Sequence, residues 1–180
     1  YDGTWEKTPS MGWMFVPLVE YHGGGEAATI EPLVEHLPHY EQRLANLFGA
    51  GVQACYRGPQ LFDAPETKAL VKKWVSFYKT YRRILDSDVI HVRRPDGRDY
   101  DALLHVDPRG EEKGLLMVYN PLATPCEREI GLDLYYSGLT ERARVIDAAG
   151  RERTYELDRK YHIRLPVSVP ARSQTWVVIK

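Results

Sequence analysis

Several features that would settle the chemistry of this chain quickly are missing from it. Cysteine occurs only twice, at Cys55 and Cys126, with no Cys-x-x-Cys spacing, which excludes a dithiol redox motif and the cysteine-rich zinc signatures. The two lie far apart and fall in different segments, so two buried free thiols are expected rather than a disulfide. No apolar run approaches the ~20 residues that a membrane-spanning helix needs. There is no nucleophile elbow and no phosphate-binding loop ending in lysine and serine or threonine. A surplus of one charge is also absent. Lys and Arg number 24 against 25 Asp and Glu, a net charge of −1, so no global field favours nucleic acid or an anionic membrane. A neutral, hydrophilic partner is compatible with that balance. No basic-then-apolar leader precedes the first structured segment, and the first residue is Tyr1. The chain therefore reads as an interior cut of a longer protein, with compartment left open.

What is present divides near Asp86 to Asp88. Before that point short apolar runs alternate with helical stretches. Trp13 to Val19 is almost unbroken in its apolar character, as in a parallel strand buried on both faces, and it runs into Glu20, Tyr21, His22 and the glycines 23–25. Pro32 to Phe48 carries Leu33, Leu37, Leu44 and Phe48 at helical spacing, closed by Gly49. Pro38 is expected to kink or split that helix. Val52 to Tyr56 is a second short strand, broken by Arg57-Gly58-Pro59. Asp63-Ala64-Pro65-Glu66 then supplies a cap, a first-turn proline and a glutamate placed to close a capping box. The helix it opens bears Leu70, Val71, Trp74, Phe77, Tyr78, Tyr81 and Leu85, an aromatic stripe read as core. Strand-helix-strand-helix with short links is the rhythm of a parallel α/β architecture, and two such units cannot close a sheet alone.

After Asp88 the pattern changes to short strands and turns. Eight strands are expected, at 89–94, 100–106, 115–120, 128–134, 142–147, 154–157, 162–169 and 175–179, with Pro95-Asp96-Gly97 and Ala149-Gly150 as turns. The fold class is therefore α/β plus all-β. Residues 1–87 read as the last two strand-helix units of a (β/α)8 barrel, and residues 88–180 as an antiparallel β-sandwich.

In such a barrel the reactive groups sit at the carboxyl ends of strands. That rule selects Glu20, Tyr21 and His22 after the first strand, and Tyr56 and Arg57 at the end of the second. Glu20 can accept from sugar hydroxyls or move a proton, the tyrosines can stack on a sugar ring, and His22 and Arg57 can donate. The same residues also fit a plain packing role at strand ends. Glu35, His36 and His39 resemble a metal cluster on paper, but Pro38 breaks the helical spacing that would gather them, and no metal or cofactor is assigned.

Three stretches in order carry a family resemblance: Tyr21-His22 after a buried strand, the turn Phe48-Gly49-Ala50-Gly51, and the helix sequence Phe77-Tyr78-Lys79-Thr80-Tyr81-Arg82. Together they resemble the C-terminal part of clan D glycoside hydrolases, the α-galactosidase-like enzymes of family 36. The resemblance implies that the two strands are the seventh and eighth of the barrel, and that the substrate is an α-linked glycoside. It also implies a retaining mechanism with two aspartates ~5 Å apart. The nucleophile would then lie on an earlier strand of a preceding chain segment, which becomes this chain's partner. Asp2 is the one aspartate ahead of the first strand and is the candidate acid/base within these residues. Glu20 and the triple glycine depart from the family pattern. The competing reading is a non-catalytic module, either binding carbohydrate through exposed aromatics, with Tyr135 and Trp176 as the ones to inspect, or bracing a barrel.

Overall fold

The fold is that of a computed structural model, which describes residues 13–17, 31–57 and 60–180, with 13–17 and 53–57 as backbone. β1 (Trp13–Pro17) and β2 (Gln53–Arg57) pair in parallel, Trp13 opposite Gln53 and Pro17 opposite Arg57. Between them a 3-10 turn (Leu33–His36) leads into α1 (Leu37–Gly49), with Pro38 in the first turn. The expected split at Pro38 is therefore present: the ring is tolerated where no intrahelical N–H is needed. α2 (Pro65–Leu85) follows.

The start of α2 differs from expectation in one detail. Ala64 occupies the cap position, and Thr67, not Glu66, reaches back. Its hydroxyl oxygen accepts from the amides of Ala64 at 3.0 Å and Asp63 at 3.1 Å. A threonine at the third helical position does this because its short side chain is already beside the first turn, and its hydroxyl donates to Asp63 Oδ1 at 3.0 Å. The Asp63 carboxylate also accepts from the Val34 amide at 3.3 Å, tying the start of one helix to the start of the other.

The eight strands expected after residue 88 are all found. They are β3 (Asp88–Arg93), β4 (Asp101–Val106), β5 (Gly114–Asn120), β6 (Cys126–Asp133), β7 (Arg142–Asp147), β8 (Glu152–Glu156), β9 (His162–Val169) and β10 (Ser173–Ile179). Six of them form an antiparallel sheet in the order β3-β4-β5-β10-β7-β8, and β6 pairs with β9 as a separate two-stranded ribbon. The helices pack on one face of the six-stranded sheet and the ribbon on the other. Covered from both sides, β4 and β5 are buried from end to end. β6 and β9, with one face in water, alternate buried and exposed instead.

Successive residues of the central strands divide cleanly between the two cores. Leu103, Leu115, Met117 and Val178 face the helices, where they meet Leu44, Phe48, Trp74 and Phe77. Leu104, Leu116, Val118, Val177 and Ile179 face the ribbon and its Ile130, Leu132, Leu165 and Val169. This is the period of two that a strand imposes. The helices and the sheet thus share one continuous core.

Two glycines allow close approach, Gly51 to the end of α2 and Gly49 to the sheet. Gly51 has φ of +73°, and a Cβ there would stand 2.1 Å from the Leu85 carbonyl oxygen. A Cβ on Gly49 would meet the Tyr119 hydroxyl at 2.3 Å. The closeness is used: His105 Nε2 lies 2.8 Å from the Gly49 carbonyl oxygen, and Tyr119 Oη donates to Ala45 O at 3.3 Å. Burial drives the pKa of His105 down to about 4, so the ring is neutral and donates from Nε2 to Gly49. Asn120 closes the far end of β5. Its amide nitrogen reaches the carbonyls of Thr124, Val169 and Pro170 at 2.9, 3.2 and 2.9 Å.

Candidate functional site

The carboxyl ends of β1 and β2 lie side by side, with Val16 opposite Tyr56 and Pro17 opposite Arg57. Three residues separate α1 from β2, so the helix runs back along the strand and its first turn lies toward the Arg57 edge. Tyr56 and Arg57 are therefore the last two residues of a parallel strand, on the edge where a β/α unit carries its chemistry. Asp2, Glu20, Tyr21 and His22 lie outside the described residues, as do the glycines 23–25.

At the first turns of both helices there is a hollow of about 330 Å³, bounded by Leu37, Pro38, Glu41, Gln42, Glu66 and Leu70 and by residues 172–174. Glu41 is held there by Lys73 Nζ at 2.5 Å and Trp74 Nε1 at 3.4 Å.

The residues that carried the family resemblance have architectural roles in the described part of the chain. Phe48 and Phe77 are core, Gly49 permits the approach to the sheet and Gly51 the approach to the end of α2, and the Phe48 and Tyr78 rings stand 5.4 Å apart. Tyr78 Oη donates to Asp86 Oδ1 at 2.9 Å, and Arg82 Nε reaches Asp86 Oδ2 at 3.4 Å, closing the end of α2. The aromatic stripe is core as expected: Trp74 and Phe77 lie 6.1 and 4.8 Å from the Trp176 ring, which is half-buried between the helix and the sheet. His39 is engaged locally, its Nε2 accepting from Arg43 Nε at 3.3 Å. Cys126 is free and buried.

A larger cleft, about 600 Å³, opens between the ribbon and the β7–β8 side of the sheet. Val145, Leu165, Val167 and Val177 are its buried apolar residues, and Glu127, Arg151 and Arg153 are exposed on it. Its charges are largely paired: Arg151 with Asp147 at 2.7 Å, Arg128 with Asp99 at 3.2 Å and Arg164 with Glu129 at 2.9 Å. Partial burial works to raise the pKa of Asp147, but hydrogen bonds from the Arg151 amide, the Arg151 side chain and the Ala149 amide outweigh it and hold the carboxyl below its usual range. That carboxylate closes a turn and is a poor general acid.

The sequence reading singled out Tyr135 and missed its neighbours. Tyr135 and Tyr136 are 59% and 61% exposed, and Tyr161 completes a three-ring cluster at the surface. A Tyr-Tyr pair in a turn is visible in sequence. The third ring comes from a different turn, which only strand pairing brings close.

Neither a protein-family model nor a curated protein sequence matches the chain. Solved structures do. The chain is similar to an α-amylase from Geobacillus thermoleovorans complexed with acarbose, with a TM-score of 0.61, 11% identity and coverage of 94% of this chain against 38% of the amylase. It is similar to a β-L-arabinopyranosidase from Geobacillus stearothermophilus at TM-score 0.53 and 14% identity, over 93% and 37% of the two chains. The galactosidase domain of an α-galactosidase-sucrose kinase matches at TM-score 0.51 and 18% identity, over 77% and 19%. The chain thus spans about two fifths or less of each of these proteins. Its fold is glycoside hydrolase-like: a mostly antiparallel sheet-rich domain with two helices packed on it.

Proposed function

We propose that this chain is the C-terminal part of a glycoside hydrolase of the α-galactosidase-like clan, of family 36 type, acting on α-linked glycosides by a retaining two-carboxylate mechanism and inactive by itself. In this reading residues 1–87 supply the last two strand-helix units of a (β/α)8 barrel and residues 88–180 form the antiparallel domain behind it. The observation that carries the proposal is the parallel β1–β2 pair with its carboxyl ends aligned at Pro17 and Arg57. A two-stranded parallel sheet is a poor unit in isolation, because parallel strands belong to larger sheets covered by helices. The fold likeness to longer glycoside hydrolases, of which this chain covers 38% and 19%, supports the same view.

Glu20, Tyr21, His22, Tyr56 and Arg57 then contribute one wall of the sugar pocket, donating to and accepting from hydroxyls. The nucleophile belongs to an earlier strand of the parent, and Asp2 is the candidate acid/base from these residues. The antiparallel domain acts mainly as a brace, since the helix-facing side of its central strands β4, β5 and β10 is buried in the core shared with α1 and α2.

The test compares residues 1–180 alone with the intact parent on a panel of aryl α-glycosides. Turnover by the parent and none by the isolated chain is the expected result. A parent inactive across a broad panel would overturn the assignment, and a parent whose rate is untouched by Arg57→Ala and His22→Ala would remove these residues from the pocket.

A further inference from the structure

Two exposed tyrosines and a half-buried third cluster at the end of the β6–β9 ribbon. Tyr135 and Tyr136 occupy the short 3-10 turn Tyr135–Ser137 after β6, and their rings stand 5.2 Å apart at 88°. Tyr161, from the turn between β8 and β9, places its ring 5.4 Å from Tyr135 at 67°. The exposed Tyr135 and Tyr136 rings, near-perpendicular, present a floor and a wall, and each carries a hydroxyl at its tip.

The backbone beneath them is fixed on every side. Leu134 and Ser137 are fully buried. The Tyr135 amide donates to Asp133 Oδ1 at 2.9 Å, and Ser137 Oγ donates to the Leu134 carbonyl at 2.6 Å. The Leu134 amide in turn donates to the Tyr161 carbonyl at 3.0 Å, joining the two turns. Tyr161 has φ of +64°, a left-handed position that glycine fills without strain and a ring-bearing residue does not. The chain therefore keeps a tyrosine at a backbone position that favours glycine, and the half-buried ring it carries there packs against exposed Tyr135. Strain of this kind concentrates at ligand sites.

We infer that Tyr135, Tyr136 and Tyr161 form a non-catalytic surface site for a neutral carbohydrate chain, with a sugar ring stacked on an exposed tyrosine face and its hydroxyls met by the phenols and flanking polar groups. The local charge fits that ligand. Exposed Asp133 and Asp158 are balanced by exposed Arg159 and Lys160, so the surface offers both acceptors and donors with no net pull on a polyanion. The site lies on the β6–β9 ribbon, which packs on the sheet face opposite the helices. Only the ligand class rests on the glycosidase reading above.

The test is affinity electrophoresis of the 180-residue chain through native gels containing soluble starch or galactomannan, with thermal unfolding of each variant as a control. The chain should be retarded in at least one of the two gels. Tyr135→Ala and Tyr136→Ala should each weaken retardation by up to about tenfold, the effect of losing one stacked ring. Tyr161→Gly should weaken it while leaving the unfolding midpoint unchanged or higher, a pairing that a purely structural ring cannot produce. The inference fails if neither polysaccharide retards the chain, or if the double variant Tyr135→Ala/Tyr136→Ala migrates as the parent chain does. It also fails if sedimentation shows a dimer that Tyr135→Ala dissolves, because the rings then serve self-association. Loss of retardation in a parent enzyme that still cleaves aryl glycosides separates this site from the catalytic reading. Retardation by an inactive parent sinks the catalytic reading alone.

Discussion

The two faces of the six-stranded sheet are built on different principles. The helix-facing core contains Tyr40, Phe48, Trp74, Phe77 and Tyr119 among its buried residues, a buried histidine bonded to a helix-end carbonyl, and glycines with no room for a methyl group. The buried residues of the ribbon-facing core are aliphatic throughout. One side is a set of specific contacts between large, directional groups, and the other a filling of branched chains that need only volume. Interiors of the first kind hold one register of helix against sheet, whereas interiors of the second tolerate repacking. The proposed barrel junction lies on the specific side, where a shift of the helices would displace the strand ends they carry.

The largest effect should come from emptying the helix side. Trp74 is fully buried, edge-on to both Phe77 and Trp176, and Trp74→Ala should cost about 4 kcal/mol of unfolding free energy in denaturant titration. A loss below about 2 kcal/mol would show that the aromatic cluster collapses freely and that the two faces differ less than their composition suggests. Overfilling the same side comes next. Gly51→Ala adds left-handed strain of about 1 to 2 kcal/mol and an overlap with the Leu85 carbonyl that only backbone movement can relieve, for a total of about 3 kcal/mol.

The buried histidine gives the helix side a pH signature between neutrality and pH 4. The folded pKa of His105 is pushed down to about 4 against about 6.5 for an unfolded histidine. Below pH 6.5 the unfolded chain therefore binds a proton that the folded chain refuses. Stability is highest above that value and falls as pH drops toward 4, by about 3 kcal/mol in total for this group. His39 and His91, also shifted down by burial, push in the same direction. His105→Gln retains a donor for Gly49 O without a titrating ring, so urea melts from pH 7 to pH 4 should show a shallower decline in the variant. Parallel declines would remove His105 as the cause.

Much of this contrast was legible in sequence, and the reasons for what was not are physical. Periodicity located both helices and every strand after residue 88, because alternation and capping are local properties. It also marked Trp74 and Phe77 as core from their spacing. The division of eight strands into six and two was not legible, since pairing order depends on contacts between distant segments. β4 and β5 showed only as apolar runs, and the reason for their uniform burial, a layer on either side, is a tertiary fact. The glycines of Phe48-Gly49-Ala50-Gly51 could be read as a helix terminator and a motif but not as a clearance for Tyr119 and Leu85. Of the proposed pocket, the strand-end positions of Tyr56 and Arg57 followed from the β/α rhythm alone. Tyr161 was invisible because nothing in its neighbourhood announces a left-handed residue.

The smallest effect tests the ribbon side directly. Ile130 on β6 and Leu165 on β9 are paired across the ribbon and buried to within a few per cent, in a core whose buried members are all aliphatic. Exchanging them, Ile130→Leu with Leu165→Ile, conserves volume and asks only for new rotamers. Aliphatic cores absorb such changes for less than about 1.5 kcal/mol. A matching exchange on the helix side, Leu103→Ile with Leu115→Ile, places branched Cβ atoms against the aromatic cluster and should cost more than the ribbon pair. The two double variants measured side by side decide the issue. If the ribbon pair proves the costlier, the aliphatic face is the one that specifies register, and the strand ends of the proposed pocket are positioned from the ribbon inward rather than from the helices.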